Sequence, residues 1–355
     1  TDPSRARAFA DTYGAKIAED RRGLLADPAV RMVCICTPNA THASFCVEAL
    51  EAGKAVLCEK PIAGSLAELD RIDEAHRRTG GIVASIFNWR YGGGYRAMRE
   101  LVGSGAAGRV LWAQVNVLWR RTAEYYRSAG GWRGTWAGEC GGPLVTLGIH
   151  AIDAAFSLLA APREVSAVVE RFAHDVEVED TSAAVVRLAD GGMASVNVTN
   201  TSHHESSQLQ FVCERLTACS NREPYAAAQW PWSFHAEDPG TRGLLEELPG
   251  GAGVLARAVA ARGSRKQLET FPDDLLRGLA GGVDDLRDAS APVALDVDPG
   301  EPEDRLGLAA ELLEGGLDGQ LAGRDLLQER FHLHHVSMLT GLLTVKGVRS
   351  RSALR

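Results

Sequence analysis

The chain has 355 residues, 45% of them hydrophobic, and carries 38 Lys and Arg against 46 Asp and Glu for a formal net charge of −8. That balance excludes nucleic acid as the main partner, because phosphate binding needs a basic surface, and leaves neutral small molecules or a bound dinucleotide open. No apolar run approaches the ~18 to 20 residues of a membrane span, and the length suffices for two domains with cores of their own. The seven cysteines are odd in number and scattered without metal spacing. They are expected to be small core hydrophobes in a reducing cytoplasm.

At the start, Asp2 and Pro3 open a helix, with Asp2 able to cap it and Pro3 suited to its first position, and Gly14 ends it. A short helical piece, Glu19 to Leu25, follows. Met32 to Cys36 is then an apolar run that breaks at Thr37-Pro38-Asn39. Thr41 to Leu50 has helical spacing, and Ala55 to Cys58 is a second apolar run ending at Glu59-Lys60-Pro61. Strand, helix and strand at this spacing form a parallel crossover, so both polar breaks are expected at carboxyl ends, on one rim. Ser65-Leu66-Ala67-Glu68 is a capping box opening a further helix, and Ile82 to Phe87 is another buried strand. Strands and helices in alternation predict a Rossmann-like, doubly wound parallel sheet.

From Asn88 onward the pattern changes. Val110 to Trp119, Val165 to Phe172, Ala183 to Leu188 and Met193 to Thr199 alternate apolar with polar residues, and Ala189-Asp190-Gly191-Gly192 signals a hairpin. The second domain is therefore predicted to be α+β with a largely antiparallel sheet. The boundary falls at 88/89, giving domains 1–88 and 89–355. Gly103 to Gly108 spells G-x-G-x-x-G, but it follows a helix and precedes a strand, the reverse of a dinucleotide fingerprint. Residues from about 220 to 302 have no steady period, with Trp230-Pro231-Trp232 standing apart, and are expected to be irregular structure with some short helices, a surface loop or else a lid over the pocket. Helical spacing returns over 306–313 and 325–343.

The ordered set Cys36-Thr37-Pro38-Asn39, His42, Ala52-Gly53-Lys54 and Cys58-Glu59-Lys60-Pro61 resembles the glucose-fructose oxidoreductase, inositol dehydrogenase and rhizopine catabolism family of NAD(P)-dependent sugar oxidoreductases. Against that pattern the first strand-helix-strand unit of ~30 residues, with its glycine-rich turn, is expected to be missing, and the sheet neighbours of its first strand should lose ladder partners. The resemblance implies a cofactor, NAD or NADP, and a small-molecule substrate. It places Asp2 near the acidic residue that grips the ribose, Thr37, Pro38, Asn39 and His42 on the cofactor loop, and Glu59 and Lys60 at the nicotinamide end. Asp2, Asn39 and Thr41 are equally well read as caps of their helices. The Lys60-Pro61 bond is expected to be cis.

Gly141-Gly142-Pro143 through Thr146, His150 and Asp153 resembles the family's second signature, with the three polar residues on one helical face at i, i+4 and i+7. A plain alternative is a buried His150 satisfied by Asp153. Lys60 is suited to polarise a substrate hydroxyl and His150, with an ordinary pKa near ~6.5, to exchange its proton, and the two are expected to meet across one cleft beside the nicotinamide. The family pattern has aspartate where this chain has Thr146. Asp153, Thr146, Asn88, Arg90, Trp132 and Arg133 are candidates for substrate contact. His203-His204 lacks a third ligand at metal spacing, so no metal site is predicted.

The resulting expectation is NAD(P)-dependent oxidation of a hydroxyl, or reduction of a keto group, on a sugar, cyclitol or related metabolite, in a homodimer or homotetramer. The competing expectation is a cofactor-independent lyase, isomerase or cyclase, or a non-catalytic binding protein.

Overall fold

The structure, a computed structural model, describes residues 3–128, 130–246 and 295–297. Asp2, the helical spacing over 306–313 and 325–343, and most of 247–302 lie outside the described residues. The chain divides into two compact units, one holding the residues up to Ile86 together with the strand Leu295–Val297, the other holding Phe87–Arg127 and the chain that resumes at Gly131.

In the first unit, α1 (Pro3–Tyr13) and α2 (Arg21–Ala26) precede β1 (Met32–Cys36), α3 (Asn39–Glu51), β2 (Ala55–Cys58), α4 (Leu66–Thr79) and β3 (Val83–Ser85). Helix α2 begins later than its spacing predicts because the side chain of Asp20 caps it, accepting from Gly23 N at 2.7 Å. β1, β2 and β3 pair in parallel in that order, with Cys34 opposite Leu57 and Leu57 opposite Ala84. On its other edge β1 pairs with Leu295–Val297, also in parallel. That corrects the expectation of a lost ladder partner: among the described residues β1 is paired on both sides. Helix α3 buries Ala43, Cys46, Ala49 and Leu50, a three-to-four-residue spacing that turns one stripe to the core. The capping box of α4 is present, with Ser65 Oγ accepting from Glu68 N at 3.2 Å, but Glu68 Oε2 reaches back to Gly64 N at 2.8 Å rather than to the cap residue.

The second unit opens with a 3-10 turn at Asn88–Tyr91, followed by α5 (Gly93–Gly103), β4 (Val110–Arg120), α6 (Ala123–Ser128), α7 (Trp136–Glu139), α8 (Pro143–Thr146) and α9 (Ile149–Phe156). Next come β5 (Pro162–Glu170), β6 (Thr181–Leu188), β7 (Met193–Thr199), β8 (Thr201–Cys213), β9 (Thr217–Cys219), β10 (Ser233–His235) and α10 (Pro239–Glu246). The seven-stranded sheet runs β10-β9-β8-β4-β7-β6-β5, and only the β4–β7 pair is parallel. Ala113, Val115, Val117 and Trp119 of β4 face one core with Leu144, Ile152 and Phe156 of α8 and α9. The predicted hairpin joins β6 to β7, and Gly103 to Gly108 lies at the turn from α5 into β4.

Two features depart from the sequence-based expectation. Strand β8 is the longest of the sheet, yet its first half, Thr201 to Ser206, has no buried residue to set a period of two. Burial alternates only from Ser207 to Cys213. Within 220–302, Trp232 lies inside rather than at the surface. Trp232 is 6% exposed, donates from Nε1 to Ala227 O at 2.8 Å, and lies so close to Gly94 that a Cβ there would come within 2.1 Å of its ring. Gly93 and Gly94 thus seat the Trp230 and Trp232 rings, while Gly92 lies against Ala228.

Candidate functional site

In the first unit both polar breaks lie where predicted, at the carboxyl ends of the parallel strands β1 and β2. Helix α3 starts there with Pro38 as its cap residue, and Pro38 makes no side-chain cap bond. Neither Asn39 nor Thr41 is the cap, which corrects that alternative: Asn39 is already the first helical residue, and Thr41 Oγ1 lies 2.6 Å from Thr37 Oγ1 and donates to Pro38 O at 2.8 Å. A 13-residue helix whose N-terminal N–H groups have no side-chain cap favours negative charge on its axis, as a dinucleotide phosphate would supply.

Glu59 and Lys60 are half-buried at the end of β2, and Glu59 Oε2 accepts from the backbone N–H of Lys60 at 3.1 Å. The Lys60-Pro61 peptide is cis. Lys54, from the Ala-Gly-Lys run, is structural: it is 7% exposed and donates from Nζ to Asp27 O at 2.7 Å.

His42 requires a correction. It is fully enclosed, with Nδ1 2.7 Å from Pro61 O and Nε2 2.7 Å from Thr37 O, so it holds the rim from beneath and presents no atom to a cofactor. Its spacing, six residues past the end of the strand, carried no sign of that role.

In the second unit, Thr146, His150 and Asp153 do not share one continuous helix. The chain breaks at Leu147-Gly148 between α8 and α9, leaving Thr146 on the first and the other two on the second. The Thr146 hydroxyl donates to Gly142 O at 3.1 Å. His150 is half-buried with the Phe87 ring edge-on at 6.2 Å. Asp153, 1% exposed, is not presented to substrate: it forms a fork-to-fork ion pair with Arg90, Nε to Oδ2 and Nη2 to Oδ1 both at 2.7 Å. The assignments of Arg90 and Asp153 to direct substrate contact are corrected accordingly. Arg133 is likewise engaged, being 6% exposed, hydrogen-bonded to Tyr125 Oη, and seated over the rings of Tyr125 and Trp132 at 4.3 and 4.9 Å. Trp132 stays half-buried. Asn88 keeps its candidacy, since its Oδ1 is buried and meets no hydrogen-bond partner among the described residues.

Glu179 is a residue that sequence reasoning missed. Its carboxylate accepts from Gly142 N at 3.0 Å and Leu144 N at 3.3 Å, tying down the start of α8. Gly142 is obligatory, because a Cβ there would lie 2.0 Å from Glu179 O. Burial pushes the Glu179 carboxyl above its ordinary pKa, against the pull of those N–H bonds. The signal was the acidic pair Glu179-Asp180 at the threshold of a predicted strand. Among the described residues no cluster of His, Cys, Asp and Glu is arranged to hold a metal ion.

A parallel sheet with an uncapped helix at its carboxyl rim, followed by a mixed sheet backed by a glycine-led helix pair, defines a Rossmann-type α/β protein with an α+β partner unit. Residues 1–87 match the family described as "Oxidoreductase family, NAD-binding Rossmann fold", and residues 95–219 match the GFO/IDH/MocA C-terminal domain. The chain belongs to the GFO/IDH/MocA oxidoreductase family. It is 33% identical over 165 residues to D-glucoside 3-dehydrogenase of Escherichia coli, covering 45% of this chain and 44% of that protein. Levoglucosan dehydrogenase of Pseudarthrobacter phenanthrenivorans is 26% identical over 234 residues, with 59% of this chain and 60% of that protein covered. The chain thus spans roughly half the length of these curated relatives. The WlbA dehydrogenase of Bordetella pertussis, solved with NADH and UDP-GlcNAcA, superposes with a TM-score of 0.60 at 25% identity over 67% of this chain and 69% of that one.

Proposed function

We propose that the chain is an NAD(P)-dependent oxidoreductase acting on a hydroxyl or keto group of a sugar, cyclitol or related metabolite, with residues 1–88 serving the dinucleotide and 89–355 the substrate. The observation that carries it is the rim of the first unit: Thr37-Pro38-Asn39 and Glu59-Lys60-Pro61 at adjacent carboxyl strand ends, beside an uncapped helix N-terminus, in a segment matching an NAD-binding family. The residues fit the cofactor. Thr37, Pro38 and Asn39 would hold it from the β1 end and Glu59 and Lys60 from the β2 end. When bound, the nicotinamide supplies the hydride acceptor or donor.

Lys60 donates to the substrate oxygen and stabilises the charge that develops there as the carbon is oxidised. His150 removes the hydroxyl proton, or returns it in the reverse direction. Asn88, with its buried oxygen, takes a second substrate hydroxyl, and Thr146 and Trp132 border the same substrate. All seven cysteines are free thiols, which supports a reducing compartment such as the cytoplasm, and a homodimer or homotetramer accompanies this reading. Titration of the chain with NADH and NADPH, followed by nicotinamide fluorescence, tests the proposal. Saturable binding of one of them, with turnover on a panel of polyols, supports it; binding of neither overturns it.

A further inference from the structure

We infer that His42 is a doubly protonated imidazolium, and that this enclosed cation is the positioning residue that locks the β1 and β2 rim loops to each other. Its bearing on turnover rests on the oxidoreductase reading, whereas its protonation state does not.

The evidence is the pair of contacts. Pro61 O lies 2.7 Å from Nδ1 and Thr37 O lies 2.7 Å from Nε2. A carbonyl oxygen only accepts, so each contact needs an N–H on the ring. Neutral imidazole has one. In that state a bare nitrogen lone pair would face a carbonyl oxygen at hydrogen-bond distance, at a side chain with 0% exposure. Turning the ring over would place carbons at these positions and forfeit both bonds.

Two kinds of influence compete on the ring. Burial is the largest and leaves its pKa below the ordinary value of 6.5, although the Pro61 and Thr37 carbonyls and Glu59 pull it up; Lys60 also opposes the charge. Against that lowering stand the two contact lengths, because a neutral ring would leave one of them repulsive. Structurally, the carbonyls belong to the residue that follows β1 and to the residue after Lys60. One rigid ring therefore spans both polar breaks, and neither loop can shift without breaking a charge-assisted hydrogen bond.

The test uses the full chain labelled with ¹⁵N-histidine. Two-bond proton–nitrogen correlation spectra between pH 6 and 8 should show one histidine with both ring nitrogens protonated throughout, absent from the spectrum of His42→Gln. If the His42 ring shows one protonated and one bare nitrogen, the inference is overturned, while the oxidoreductase reading stands or falls on nicotinamide binding alone. Hydrogen exchange read by mass spectrometry supplies the positioning readout. In His42→Gln, peptides covering Thr37–Asn39 and Glu59–Ile62 should exchange at least tenfold faster with α4 unchanged, and a uniform rise across the first unit, or no local rise, counts against the clamp. Should His42→Gln fail to fold, selective ¹³C-labelling of the Thr37 and Pro61 carbonyls with direct coupling to the wild-type ring decides the protonation state.

Discussion

Removing one partner of the Arg90–Asp153 pair should expose how firmly the second unit depends on it. The Asp153 side chain is 1% exposed and that of Arg90 19%, and both N–O contacts are 2.7 Å. Arg90→Met leaves a carboxylate stranded in the core, a class of change that costs about 3–5 kcal/mol. Against a typical stability of ~5–15 kcal/mol that is about a fifth or more of the total. At roughly 2–4 °C per kcal/mol for a unit of this size, the melting midpoint should fall by about 6–20 °C. Arg90→Lys keeps the charge but loses the planar fork and should fall between. The informative variant is Arg90→Met with Asp153→Leu, which removes both charges and should recover most of the loss. Thermal and urea melts of wild type, Arg90→Met, Asp153→Leu and the double variant form a double-mutant cycle. If the double variant is as unstable as the two single losses added together, the pair is not coupled and the reasoning fails.

Lys60→Ala and His150→Ala should each lower kcat by ~10² or more with unchanged circular dichroism, and turnover equal to wild type would displace the assignment of acid-base groups. For Glu179 the sign is fixed by its raised pKa: the folded state holds that proton more tightly than the unfolded chain, so its contribution is present at low pH and is lost as pH rises from about 4.5 through the folded value. The stability advantage of wild type over Glu179→Gln should therefore shrink between pH 4 and 7, and urea midpoints that diverge in that window would contradict the burial of the carboxyl. Burial raises the Cys34 and Cys213 thiols to about 11, so iodoacetamide at pH 8 should label half-buried Cys140 well before either, as peptide mapping would record.

Much of the first unit was legible because its signals are local. An apolar run of four or five residues closed by Pro, then helical spacing, then a second run admits few folds, and the box at Ser65 names its helix start. What sequence could not give was the partner of each polar group. Arg90 meets Asp153 across 63 residues and Leu144 meets Glu179 across 35, distances over which no spacing rule operates. Strand β8 was hidden for a different reason: its first half is polar on both faces and so lacks the alternation that betrays a half-buried strand. Trp230 and Trp232 look like loop residues until the glycines of the turn into α5 are seen to leave room for their rings.

The corrections share one cause, and it bears on the chemistry. Of the charged groups singled out as substrate contacts, Arg90, Asp153 and Arg133 are buried or nearly so, and burial selects for a partner because an unmatched charge in the interior is costly. Each found one: a carboxylate, a guanidinium, a phenol flanked by rings. Lys60, Thr146 and His150 remain half-buried.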